Sequence, residues 1–93
     1  MSIPFTQYKR PTGRAVPVTI DRPAEIEALA MKVFEAGGRF ECEVLRTGEV
    51  SFEAVRQDGL LASEIAENGP GVEAAVDRLV LAATEELARR GRS

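Results

Sequence analysis

The chain has 93 residues, 44% hydrophobic and 29% charged, with a net charge of −3, one cysteine and no histidine or tryptophan. That length allows one domain, 1–93, with one modest core, and the balance of apolar and charged residues argues against global disorder. Without histidine there are no Ser-His or Cys-His nucleophile pairs and no ordinary general base near neutral pH; with Cys42 alone there is no intramolecular disulfide and no Cys/His zinc site within the chain.

The first segment, 1–20, predicts a hairpin. Phe5, Tyr8, Val16, Val18 and Ile20 are strand formers, and Pro11-Thr12-Gly13-Arg14 is a turn signal. Pro4 and Pro17 cannot donate to a ladder, which places these strands at an edge or beside bulges. Asp21-Arg22-Pro23-Ala24-Glu25 starts a helix, with Asp21 as the cap and Pro23 setting φ in the first turn. Ile26, Leu29, Ala30, Val33 and Phe34 form one helical stripe, and Gly37-Gly38 ends it.

Two half-buried strands follow. Phe40, Cys42 and Val44 alternate with Glu41 and Glu43; Val50, Phe52 and Ala54 alternate with Glu49, Ser51 and Glu53. A three-residue loop, Arg46-Thr47-Gly48, pairs Val44 with Val50, Cys42 with Phe52 and Phe40 with Ala54. That register keeps the apolar set together, and Gly48 suits a left-handed position. A two-residue turn at Asp58-Gly59 pairs Phe52 with Ile65, so 60–66 reads as a third strand, with helix as the alternative. Asn68-Gly69-Pro70-Gly71 breaks the chain. Val72, Ala75, Val76, Leu79, Val80, Ala83 and Leu87 then form the stripe of a last helix, and the tail 91–93 is expected to fray.

The order β-β-α-β-β-β-α predicts an α+β domain: a 1–20 hairpin, a 21–90 αβββα body, and two helices packed on one face of an antiparallel sheet. Whether the hairpin extends that sheet is left open.

Charge is unevenly distributed. Residues 1–22 carry +3, residues 23–88 carry −9, and Arg89-Arg90-Gly91-Arg92 adds +3. An acidic body disfavours nucleic acid as the main partner and favours a protein with a basic surface. No stretch approaches the roughly 18–20 apolar residues of a membrane helix. The first residues lack the basic start and apolar run of a secretory signal. The expectation is a cytoplasmic protein without a membrane partner.

The predicted registers set Glu41 opposite Glu53 and Glu53 opposite Glu64, all facing away from the core, with Glu43 and Glu49 on the same side. Like charges directly opposite each other cost about 0.2–1 kcal/mol per pair, so something should offset them. One reading is an acidic docking face for an Arg/Lys-rich surface. Another is a solvated face neutralised by Lys9, Arg10 or Arg14. A third is a divalent-cation site, although the spacing matches no D-x-D-x-D-G loop. Lys9, Arg10 and Arg14 around Tyr8 also form the alternative nucleic-acid-binding patch. Cys42, on the apolar face beside Phe52, reads as an inert structural thiol. Gly69-Pro70-Gly71 reads as a loop and cap, because no P-loop Lys-Ser/Thr follows and Glu73 repels anions. No catalytic residue, metal site or cofactor is predicted.

Residues 22–90, in their α-β-β-β-α order, resemble the double-stranded-RNA-binding domain in topology. That family binds phosphates with lysines at the start of its last helix. The matching stretch here, Gly69-Pro70-Gly71-Val72-Glu73-Ala74-Ala75, holds no base. A second resemblance covers nearly the whole chain. Ser2-Ile3-Pro4-Phe5-Thr6-Gln7-Tyr8, Val18-Thr19-Ile20-Asp21-Arg22-Pro23, Arg39-Phe40-Glu41-Cys42-Glu43, Thr47-Gly48-Glu49-Val50-Ser51 and Asn68-Gly69-Pro70 are similar to small proteins of phage and prophage genomes. The resemblance implies an accessory protein that binds a host or virion component, with anti-defence inhibitors such as anti-CRISPR proteins as one such type. The expected function is therefore a non-enzymatic acidic protein-binding module. A nucleic-acid-binding accessory and a homo-oligomeric assembly protein pairing through a strand edge are the alternatives.

Overall fold

The computed structural model forms β1 (Ser2–Lys9), β2 (Arg14–Asp21), α1 (Ala24–Glu35), β3 (Arg39–Val44), β4 (Glu49–Arg56), β5 (Gly59–Glu67) and α2 (Val72–Arg90). It describes residues 2–9 and 12–91; Arg10 and the tail residues 92 and 93 lie outside them.

The hairpin extends the main sheet. The strand order is β2-β1-β3-β4-β5. β1 and β2 pair antiparallel along their length, while β1 pairs β3 parallel, Thr6 to Glu41 and Tyr8 to Glu43. The sheet is therefore mixed, not antiparallel as expected. The cause is that α1 carries the chain past β1, so β3 begins on the far side of β1 and runs in its direction. Pro17 lies on β2, the sheet's free edge, and Pro4 precedes the stretch of β1 that pairs β3, both tolerable places for a missing donor.

Alternation delivers one apolar face. Ile3 and Phe5, Phe40 and Cys42, and Val50, Phe52 and Ala54 are buried against Ala30 and Val33 of α1 and Ala75, Val76, Leu79, Val80 and Ala83 of α2. Phe5 bridges the strands, its ring centroid 5.3 Å from Phe40 and 5.9 Å from Phe52, and Phe34 stands edge-on to Phe40. Helix α1 ends where Gly37 turns left-handed (φ 87°). A Cβ on Gly38 would sit 2.6 Å from the Val33 side chain, so that position needs glycine for space. Asp21 does not cap α1. It is the last residue of β2 and accepts a hydrogen bond from the Ser2 hydroxyl at 2.5 Å, while Pro23 precedes the helix without a side-chain cap.

The β3–β4 register is the expected one, Val44 to Val50, Cys42 to Phe52 and Phe40 to Ala54, with Gly48 at φ 91°. Residues 60–66 are strand, but their register differs from expectation. Arg56 pairs Gly59 and Val55 pairs Leu60; a bulge at Leu61 then shifts the ladder, so Phe52 faces Glu64 and Glu53 faces Ser63. Because side chains alternate, one residue of slip exchanges the faces of every residue beyond the bulge.

Two arginines tie the helices down. Arg22, between β2 and α1, forks onto Asp77 of α2 (Nε to Oδ1 and Nη2 to Oδ2, both 2.7 Å) and reaches Glu73 at 2.9 Å. Hydrogen bonding to Asp77 raises the Arg22 pKa, so the fork stays fully charged. Arg90 binds Glu86 at 2.9 Å and donates to the Leu60 carbonyl at 3.0 Å, pinning the end of α2 to the β5 edge.

Candidate functional site: the open face of the sheet

The helices sit on one side of the sheet, leaving the other side open. Alternation places Tyr8 of β1, Arg39, Glu41 and Glu43 of β3, Glu49, Ser51 and Glu53 of β4, and Ser63, Ile65 and Glu67 of β5 on that open side. Two carboxylate pairs face each other directly across strands: Glu41 with Glu53, and Glu49 with Glu67.

Glu41 is the anchored member. Its Oε2 accepts from Arg39 Nε at 2.8 Å and from the Tyr8 hydroxyl at 3.0 Å. The same hydrogen bond, and then the carboxylate's charge, push the Tyr8 phenol above its ordinary 10.0. The Glu41 hydrogen bond also raises Arg39. Glu49 accepts from the Thr47 hydroxyl at 3.2 Å. Glu43 is half-buried between Tyr8 and Ser51 in the ladder. Glu53 and Glu67 are exposed and have no ion-pair partner among the described residues.

Three of the sequence expectations change. Glu64 is not on this face: the bulge turns it to the helix side, where it meets Arg78 of α2 at 3.4 Å. Glu67, which the unbulged register left unremarked, takes a place on the face. Glu41 draws its counter-charge from Arg39, with Lys9 and Arg14 directed elsewhere: these two pair with each other across the hairpin and alternate with Phe5 and Gln7 onto the helix side. Arg10 lies outside the described residues. The Leu60-Leu61 doublet at the bulge fits a regular strand equally well, so no local signal announces it.

The face is not purely acidic. Ile65 is 52% exposed beside Glu53 and Glu67, and Leu60, paired with Val55, is 48% exposed. Such a surface can meet guanidinium or ammonium groups together with apolar contacts. Elsewhere, burial pushes the Cys42 thiol up to about 11, which removes thiolate nucleophilicity near neutral pH. The first turn of α2 holds Glu73, engaged by Arg22. Among the described residues no group of three His, Cys, Asp or Glu side chains could hold a metal ion, and no helix is long and apolar enough to cross a membrane.

The fold and site define an α+β domain whose mixed sheet is helix-covered on one side and acidic on the other. No family model, no curated protein and no solved structure matches the chain.

Proposed function

We propose that this chain is a non-enzymatic protein-binding module, a phage- or prophage-type accessory protein acting in the host cytoplasm. In this reading Glu41, Glu43, Glu49, Glu53 and Glu67 dock on a basic surface of a host or virion component and occlude it. The observation that carries the reading is the double cross-strand pairing of carboxylates, Glu41 with Glu53 and Glu49 with Glu67, on an uncovered face. Each pair costs stability, and an arrangement that costs the fold is retained where it serves something else. A basic partner surface turns that repulsion into attraction, with its main effects on association rate and specificity.

The test is capture from host lysate with the tagged protein, with and without nuclease, read by mass spectrometry. The proposal expects one protein retained after nuclease treatment and released by salt. Enrichment that vanishes with nuclease would instead assign the function to the basic hairpin of Lys9, Arg10 and Arg14. Retention of nothing would remove the docking reading.

A further inference from the structure

The helix side of the sheet is not fully covered. Helix α2 lies against β4 and β5, and α1 packs on α2, borders β1 and sets Phe34 against Phe40 of β3. At the end of the sheet where the β1–β2 hairpin and the β3–β4 loop meet, an apolar groove of about 210 Å³ remains open. Val18, Ile20, Val44, Val50 and Val72 line it, and Val44 is 40% exposed. Gln7 and Val44 also border a neighbouring cleft of about 310 Å³ at the sheet end, together with Lys9 and Tyr8. Arg14 lies directly opposite Lys9 in the hairpin. Both cations are exposed, and neither has an ion-pair partner among the described residues. The result is an apolar trough on the helix side of the sheet, with Lys9 and its ladder partner Arg14 at the sheet end beside it.

We infer that this groove binds a medium-chain fatty acid, its methylenes along Val18, Ile20 and Val44 and its carboxylate at Lys9 and Arg14. The charge at the mouth selects an anion, and the aliphatic lining selects a chain. A peptide fits less well. Its backbone N–H and C=O groups would need partners over the apolar floor, and the groove offers only Gln7 and Asn68. Strand addition at β2 would also meet Pro17 on the free edge.

Titration calorimetry of the full chain with hexanoate, octanoate and decanoate tests the inference. Affinity should rise about fourfold per methylene until the groove is filled. Octyltrimethylammonium, with the same chain and the opposite head, should bind at least tenfold more weakly than octanoate. The double variant Lys9→Glu/Arg14→Glu should lose octanoate and leave octanol binding unchanged. Val44→Glu, at an exposed strand end, should abolish both while circular dichroism keeps the wild-type spectrum. Equal binding of the two head groups or no dependence on chain length would overturn the assignment. Saturable binding of an acidic leucine-rich peptide, with none of octanoate, would overturn it in favour of a peptide groove.

Discussion

Changing Glu53 to lysine should stabilise the fold while weakening the proposed docking face. Glu53 stands directly opposite Glu41, and Glu41 is partly neutralised by Arg39 at 2.8 Å and Tyr8 at 3.0 Å. The repulsion to be relieved therefore lies toward the low end of cross-strand values. Removing it and creating an opposite-charge pair should together contribute about 0.5–1 kcal/mol. For a domain of this size that is about 2–8 °C in Tm. Glu53→Gln, which only removes the repulsion, should give about half. Thermal and urea melts followed by circular dichroism measure both. The gain should be largest at low ionic strength and shrink near 1 M salt, where the Debye length falls to about 3 Å. A destabilised Glu53→Lys protein, or a gain untouched by salt, would refute the claim that residual like-charge repulsion remains between Glu41 and Glu53.

Tyr8 is the only tyrosine and there is no tryptophan, so an ultraviolet phenolate titration reports it alone. Its midpoint should lie above 10.0 and return toward that value in Glu41→Gln; an unshifted wild-type midpoint would show that Tyr8 does not hold Glu41. Arg22→Met should cost about 1–2 kcal/mol, less than a fully buried charge pair because Asp77 remains 31% exposed. A double-mutant cycle with Asp77→Asn should show strong coupling, and additive losses would contradict the fork. Glu86, hydrogen-bonded by Arg89 and Arg90, is held below its ordinary 4.5. A depressed carboxyl contributes stability above its unfolded pKa and loses it as pH falls through the folded one. The stability gap between wild type and Glu86→Gln should therefore be constant near neutral pH and close below pH 4.5. A gap that persists in acid would dissociate Glu86 from the two arginines.

The β3–β4 hairpin was legible because two period-two patterns and Gly48 admit a single register that keeps Phe40, Cys42, Phe52 and Ala54 together. The same logic misplaced Glu64. A bulge adds one residue without disturbing local alternation, and the Leu60-Leu61 doublet fits a regular strand as well as a bulged one. The parallel contact of Thr6 with Glu41 was hidden because α1 intervenes, and nothing local to β1 announces its neighbour. Arg22 meets Asp77 across 55 positions of sequence, so its fork follows from the docking of α2 and has no spacing motif. Of the acidic face, Glu41, Glu43, Glu49 and Glu53 were readable from alternation within β3 and β4. Glu67 required the true β5 register.

The central claim is that the open acidic face is a docking surface. The most direct measurement is the affinity of the nuclease-resistant partner for wild type, Glu53→Lys and Glu85→Lys, the last an exposed carboxylate on α2 at the helix side. All three should first be shown to share one circular dichroism spectrum. The account predicts that Glu53→Lys weakens binding at least tenfold, on the order of 1.4 kcal/mol, and that Glu85→Lys leaves it within about twofold, since a lone exposed charge away from the contact contributes little. Equal effects of the two substitutions would contradict it, because net charge alone, and not the face of the sheet, would then govern the interaction.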